Sequence, residues 1–148
     1  MHIRKATLQD VSRIVITGDD LMEFEAYNPN RDLTATLISH LTESSVVLIN
    51  NGSVLAYGGN SGDCVWFLTD DRVNYLTYVE KLCMLEQIKA YRDLMLDQYG
   101  TIWNYVWINN KSHIKFLKRL GAEFHEEWSE SPVTGERFQL FTIRRENV

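Results

Sequence analysis

Acid–base or metal chemistry in this chain would have to come from a few carboxylates and histidines. Asp63, Asp70 and Asp71 flank an apolar run, where a carboxylate can serve as a general base. His113 and His125 are candidates for a base or a metal ligand, but no set of His and carboxylate residues stands near them with ligand spacing. We therefore expect a turn or helix-cap role for the aspartates and a structural or surface role for the histidines.

Aromatic residues alternate along one segment in a way that suits base stacking. Trp103, Tyr105 and Trp107 would lie on one face of a strand and form a platform for nucleic-acid bases. The other interpretation is one face of a central strand packed under helices, which the neighbouring apolar positions favour. No basic frame surrounds the three rings. The second interpretation is the prediction.

Basic residues recur on one predicted helix and are the main feature that could contact DNA or an acidic partner. They are Lys111, Lys115, Lys118 and Arg119, and a solvated helix face is the alternative that we expect. Fifteen Lys and Arg against twenty Asp and Glu give a formal charge of -5. General phosphate binding needs a basic excess on at least one face, so the sequence gives no strong nucleic-acid signal.

Composition limits the remaining possibilities. The chain has 148 residues, of which 45% are hydrophobic and 24% charged, as expected for one globular domain spanning 1–148. Cys64 and Cys83 lie nineteen positions apart with no CxxC, which suggests neither a disulfide framework nor a zinc site, and both are expected to pack as small hydrophobes. No stretch approaches the ~18 apolar residues of a membrane span, so we expect a protein that is cytosolic or made in a cytosol.

The hydrophobic periodicity predicts alternating strands and helices. An inward row of Leu82, Leu85, Ile88, Tyr91 and Met95 marks the longest helix. Strands are predicted at about 2–6, 45–49, 54–57, 64–68, 102–108, 123–128 and 138–143, helices at about 8–18, 32–41, 76–99 and 110–120, and a glycine-rich turn at 58–62. The resulting order is β-α-α-β-β-β-α-β-α-β-β, an α/β fold with a mixed sheet.

This order resembles the fold of the GCN5-related N-acetyltransferases. The segment 110–122, with its Asn, Phe-Leu and Gly-Ala, is similar to that family's strand-five and helix-four signature, and 2–10 looks like its first strand and helix. The resemblance covers essentially the whole chain and implies that the fourth and fifth strands splay apart, as they do to admit acetyl-CoA.

The chemistry of that family is not matched. Members that use acetyl-CoA carry a glycine-bearing turn after strand four, because backbone amides must approach the pyrophosphate closely. Here the corresponding segment is 69–76, and no glycine occurs between Gly62 and Gly100. Asp70 and Asp71 also carry the wrong charge for binding a diphosphate.

Two positions of the fourth-helix signature depart as well. Leu117 stands where the family has the tyrosine that protonates the CoA thiolate, and His113 stands at the small alanine position beside the cofactor. We therefore predict no catalytic, cofactor-binding or metal-binding residues. Acetyl-CoA enters only under the alternative of an active acetyltransferase.

A longer and more specific similarity runs from about 58 to 145. The segments that carry it are 58–62, 65–69, 103–107, 110–117, 121–127 and 138–143. The chain resembles the small internal virion protein family of short-tailed phages. That resemblance implies a protein made in the host bacterial cytoplasm, located in the virion interior, and needed for infectious particles and genome ejection.

The leading hypothesis is accordingly a non-catalytic virion protein that docks on other virion proteins, with aromatic residues outside the core supplying the contacts. The alternative is an active acyl-CoA-dependent N-acetyltransferase acting on a host protein or small amine. A DNA-binding module ranks last, since the charge of -5 opposes it. The partner, the oligomeric state and any ligand of the cleft stay open.

Overall fold

A computed structural model describes all 148 residues. The strands are β1 His2–Lys5, β2 Val46–Asn50, β3 Ser53–Ser61, β4 Cys64–Thr69, β5 Thr101–Trp107, β6 Glu123–Glu130 and β7 Arg137–Arg144. The helices are α1 Leu8–Ser12, α2 Gly18–Tyr27, α3 Leu33–Ser39, α4 Tyr78–Tyr99 and α5 Lys111–Arg119, with short 3-10 segments at Asp71–Tyr75 and Arg145–Asn147. The predicted α/β fold with a mixed sheet is confirmed.

The seven strands form one sheet in the order β1-β2-β3-β4-β5-β7-β6. All neighbours are antiparallel except β4 and β5, which run parallel. One apolar cluster packs α1 and α3 against β2 and β3 on one face, and a second packs α4 and α5 against β5 and β7 on the other. The predicted central position of β5 is confirmed, since it lies between β4 and β7.

The N-terminal region contains a helix that the sequence pattern missed. One helix was predicted over 8–18, but α1 ends at Ser12 and a separate ten-residue α2 spans Gly18–Tyr27. The prediction was wrong because the apolar residues of α2 form only a weak amphipathic pattern and the helix turns carboxylates toward the protein. Its first turn contains Asp19 and Asp20, whose negative charge favours a helix N-terminus.

Strand β3 is longer than predicted. Gly58 and Gly59 were assigned to a turn, but they continue the strand, and the turn comes at Gly62 with a φ of +59°. A Cβ at Gly58 would lie 2.8 Å from the Trp66 carbonyl oxygen, and one at Gly59 would lie 3.0 Å from Trp66 Cζ2. The two glycines therefore permit close approach to β4 rather than a change of direction.

The longest helix has a slightly different phase from the predicted one. It begins at Tyr78, and Leu82, which was expected to face inward, is 43% exposed. Met84 and Leu96 are its buried residues instead. Gly100, with a φ of +76°, ends the helix as predicted.

Candidate functional site

Strands β4 and β5 touch at only one end. Their register contains a single pair, Cys64 with Trp103, and the Trp103 amide donates to the Asp63 carbonyl at 3.1 Å. The Asn104 side chain adds one bridge by donating to the Val65 carbonyl at 2.6 Å. Beyond that point the ladder stops, and the two parallel strands diverge toward their carboxyl ends.

The divergence leaves a cavity of about 200 Å³ that runs between the two strands. Most of the side chains around it are apolar and come from both faces of the sheet, among them Trp66, Phe67 and Met95. Glu23, Asn104 and His113 are polar groups on its wall. The cavity can hold a small apolar group next to one carboxyl group.

Two carboxylates of α2 close the carboxyl ends of the diverging strands. Asp20 accepts hydrogen bonds from the Thr69 backbone amide at 3.2 Å and the Thr69 hydroxyl at 3.1 Å, at the end of β4. Glu23 accepts from the Trp107 amide at 2.7 Å, at the end of β5. Backbone donors that a splayed sheet would offer to a ligand are therefore satisfied by the chain's own side chains.

Asn110 joins these carboxylates to α5. The residue is fully buried, and its side-chain amide donates to Asp20 at 3.1 Å and to Glu23 at 3.4 Å. Its side-chain oxygen accepts from the His113 amide at 3.1 Å and thereby caps the N-terminus of α5. One side chain thus positions a helix and two carboxylates.

Burial changes the protonation of the groups around the cavity. Burial raises the pKa of Glu23 to about 7, and the nearby charge of Asp20 adds to the rise, while hydrogen bonds from Trp107 and Asn110 oppose it. Burial also lowers the pKa of His113, against the charge of Asp20. Near neutral pH the site therefore contains a partly protonated glutamate beside a neutral imidazole.

In the segment after β4, two aspartate side chains accept hydrogen bonds from nearby groups of the same chain. Asp70 is buried and accepts from the amides of Val15 and Arg72 at 2.9 and 2.8 Å, so it caps the 3-10 segment. Asp71 accepts from the Thr17 hydroxyl at 2.7 Å. The helix-cap role predicted for Asp70 is confirmed.

The N-terminus of α4 is satisfied in the same way. The Thr77 hydroxyl accepts from the Glu80 amide at 3.2 Å, and the Glu80 carboxylate accepts from the Thr77 amide at 3.0 Å. This capping box fills two donors of the first turn and places a carboxylate there. An incoming diphosphate would meet that negative charge.

The two departures in α5 lie one turn apart on the same face of the helix, and both line the cavity. Leu117 is 2% exposed and belongs to the core between α5 and β5. His113 packs its ring against Phe67 with 4.7 Å between the centroids, and lines the cavity. Asp63 accepts from the Trp103 indole at 2.9 Å and is exposed, outside the cavity wall.

The alternating aromatic residues of β5 have mixed surroundings. Trp107 is buried with Ala26 of α2 and Phe138 of β7, as the packing interpretation predicted. Trp103 and Tyr105 are half-exposed and meet edge to face at 6.0 Å, so helices cover that face only at one end of the strand. Asp63 rather than a basic residue bonds the Trp103 indole.

The remaining candidates lie apart from the cavity. Lys111, Lys115, Lys118 and Arg119 are exposed on α5. His125 bonds Thr142 Oγ1 at 2.7 Å on the outer strands, and no group of three potential metal ligands converges in the structure.

The cysteines differ from each other. Cys64 is half-buried, and burial, reinforced by the charge of Asp63, raises the pKa of its thiol. Cys83 is exposed, so its prediction as a packed small hydrophobe was wrong because the phase of α4 turns it outward. No helix combines the length and apolar character that a bilayer crossing requires.

The residues that sequence reasoning missed are Asp20 and Glu23, together with Asn104 and the bridging role of Asn110. A local signal existed only for the helix, as Thr17 precedes a first turn with two aspartates. The contact itself joins residues ninety positions apart, which no local pattern indicates.

Comparison with known sequences gives a consistent result. The protein-family model described as bacteriophage T7, probable scaffold protein Gp13, matches residues 44–129. A protein of Escherichia phage T7 named probable scaffold protein gp13 is 49% identical over 100 residues, which covers 68% of this chain and 70% of that protein.

Comparison with solved structures identifies the fold. A GNAT-family acetyltransferase from Bacillus anthracis aligns with a TM-score of 0.67 at 14% identity over 97% of this chain and 94% of its own. The ribosomal-protein-S18-alanine N-acetyltransferase of Escherichia coli aligns with a TM-score of 0.61 at 16% identity over 96% and 92%. The acetyltransferase-like fold is confirmed, and at these identities the likeness concerns the fold alone.

Proposed function

The chain belongs to the family of the bacteriophage T7 probable scaffold protein Gp13, and from that premise we propose that it is a non-catalytic structural protein of a phage particle. In this proposal it is made in the cytoplasm of the infected bacterium and enters the virion interior. There it docks on other virion proteins and is needed for infectious particles and for genome ejection. The family membership supports the phage role, and the site geometry supports the lack of catalysis.

One observation carries the non-catalytic part. The place where an acetyltransferase-like fold would receive a cofactor is occupied by the chain's own carboxylates: Asp20 and Glu23 accept the donors at the ends of β4 and β5, and Glu80 lies at the N-terminus of α4. A diphosphate would have to displace these groups and would meet negative charge in doing so. Leu117 also offers no proton to a leaving thiolate.

The first test is the composition of the particle. Mass spectrometry of gradient-purified mature virions is expected to find the chain at a reproducible copy number, and particles assembled without it are expected to adsorb but deliver no DNA. Precursor particles analysed in parallel provide the control, because an assembly scaffold that later leaves would be present there and missing from mature virions. Absence from mature virions would overturn the virion-interior assignment, and normal DNA delivery without the chain would overturn the ejection role.

A second candidate function is supported by one specific observation. Glu23 lies on the cavity between the splayed strands, and burial raises its pKa to about 7, a value suited to a general base at neutral pH. This arrangement favours the alternative, an acyl-CoA-dependent transfer to an amine. The missing glycine turn and the occupied backbone donors weigh against it.

Titration with acetyl-CoA separates the two candidates. Calorimetry to millimolar ligand is expected to give no saturable heat, and the melting temperature is expected to stay unchanged, because the segment 69–76 has no glycine turn and Glu80 places a negative charge at the N-terminus of α4. CoA without the acetyl group and an active acetyltransferase of the same fold serve as controls. Saturable binding in the micromolar range would make acyl transfer the leading function, and Glu23→Gln should then lower kcat.

A further inference from the structure

A groove lies between α4, α5 and the 3-10 segment Asp71–Tyr75, and it borders the carboxylate cluster at the strand ends, since Asp20 and Thr69 lie in its wall. Its volume is about 230 Å³. The apolar part of its wall consists of Phe67, Val73, Met84, Leu85 and Phe116. A surface of this kind can receive apolar side chains of a partner segment.

The rim of this α4/α5 groove is basic. Lys81 and Arg119 line it, and Lys115 precedes Arg119 by one helical turn. None of these three cations has a carboxylate within 4.0 Å. The carboxylate in the wall, Asp20, already accepts hydrogen bonds from Thr69 and Asn110.

This positive charge is local. Helix α5 carries four basic residues and no acidic one, whereas the whole chain has a formal charge of -5. The rest of the chain is therefore more acidic than the chain as a whole. An acidic partner would be attracted to this face more than to the acidic remainder, so the charge distribution favours its approach here.

Large apolar side chains are exposed in the segment that leads into α4 and in its first turns. Tyr75 and Tyr78 are 79% and 75% exposed, and Leu82, one turn after Tyr78, is 43% exposed. Helical spacing puts Tyr78 and Leu82 on the same side of α4 as Leu85 in the groove wall. Exposed tyrosines next to an apolar groove are typical of residues that dominate interface energy.

We propose that the α4/α5 groove is the docking site for an acidic segment with apolar anchors that belongs to another virion protein. The inference rests on the proposed function, which requires neighbours in the particle, and it names the face and the chemistry of the contact. The partner's apolar side chains fill the groove and pack on Tyr78, while its carboxylates pair with Lys81, Lys115 and Arg119. Unpaired cations at the rim and apolar side chains inside the groove together favour this partner.

A nucleic acid would satisfy the cations but not the groove. The wall contains aliphatic side chains such as Met84 and Leu85, which do not stack on bases. A second copy of this chain would have to approach with its own acidic edge strand, β6, whose outer glutamates flank Trp128. Both occupants are outcomes that the experiments below distinguish from the proposed one.

Charge reversal tests the groove in the particle. The double variant Lys81→Glu with Arg119→Glu is expected to lower the copies per mature virion at least tenfold, because both rim cations become repulsive to an acidic segment. Both side chains are exposed, so the variant should fold, and an unchanged melting temperature would verify it. Arg13→Glu is the matched control, since Arg13 is exposed, lacks a carboxylate partner and lies on α1's C-cap away from the groove.

Site-specific cross-linking identifies the occupant. With p-benzoylphenylalanine in place of Tyr78, irradiation of purified virions is expected to link the chain to a peptide of another virion protein rich in Asp and Glu. The same photo-reactive residue in place of Trp128, which is 48% exposed on β6, is expected not to give that product. Cross-links to DNA, to a second copy of this chain, or to a basic peptide would each overturn the docking proposal.

The two proposals fail in different ways. If the wild-type chain is absent from mature virions, the proposed virion function fails and the docking site falls with it. If the wild-type chain is present and the Lys81→Glu, Arg119→Glu variant is incorporated equally, only the docking site is overturned.

Discussion

Replacement of Asn110 by alanine is expected to destabilise the protein by about 2–4 kcal/mol. The side chain is fully buried and performs two tasks. Its oxygen caps α5 through the His113 amide, a role worth about 1 kcal/mol. Its amide group donates to the carboxylates of Asp20 and Glu23. Removal of a hydrogen bond to a buried carboxylate lowers the free energy of unfolding by roughly 1.5–3 kcal/mol.

Asn110→Asp separates these two tasks. The aspartate retains an oxygen for the cap but replaces the donor with a third carboxylate next to Asp20 and Glu23. It should therefore be no more stable than the alanine variant at neutral pH. Urea unfolding followed by circular dichroism measures both changes. Ser12→Ala is the control, because the exposed Ser12 hydroxyl donates to the Gln9 carbonyl outside this cluster, and its loss should change the stability by no more than about 0.5 kcal/mol. Wild-type stability in Asn110→Asp would mean that the cap alone matters.

The parts of the fold that the sequence predicted are those with a strong local pattern. Alternation and turn residues placed every strand to within a few positions, apart from the longer β3, and periodicity with terminal glycines located α4 and α5. The element order, together with the segments 2–10 and 110–122, indicated the acetyltransferase-like fold. Such features depend on residues that are close together in the sequence, so they can be predicted without the tertiary structure.

The candidate site was not readable in this way. Helix α2 turns Asp20 and Glu23 inward, whereas the usual amphipathic pattern directs charges outward. Their partners, Thr69, Trp107 and Asn110, are distant in sequence and come together only when β4 and β5 diverge. Similarly, Gly58 and Gly59 indicate a turn until the approach of Trp66 is known. Long-range packing, not local propensity, decides both features.

Stability is expected to decrease as the pH rises, because of Glu23. The pKa of its carboxyl group is about 7 in the folded protein against 4.5 for the ordinary value, so the folded state binds a proton between these values that the unfolded state has released. The slope of unfolding free energy with pH is then negative in this window. From pH 5 to pH 8 this one group should reduce the stability by about 2–3 kcal/mol.

Glu23→Gln isolates that contribution. Glutamine keeps an oxygen for the Trp107 amide and does not ionise. The stability of the variant relative to the wild type should therefore increase as the pH rises, and the variant should be the more stable protein at pH 8. His113 has the opposite effect on the pH dependence of stability. Burial lowers its pKa, so below the ordinary histidine value of 6.5 the unfolded state takes up a proton that the folded state does not bind. The stability therefore decreases as the pH falls through this range. Because both proteins contain His113 and Asp20, the difference between their pH profiles largely cancels these groups.

The measurement is the melting temperature of both proteins from pH 5 to pH 8. For a chain of this length, 1 kcal/mol corresponds to roughly 2–4 °C, so the difference between the two proteins should change by about 5–10 °C over this range. Parallel profiles would mean that Glu23 ionises normally in the folded state and is reached by solvent. In that case its carboxylate would not be sealed against the ends of β4 and β5, and the cleft between those strands would be open to a ligand.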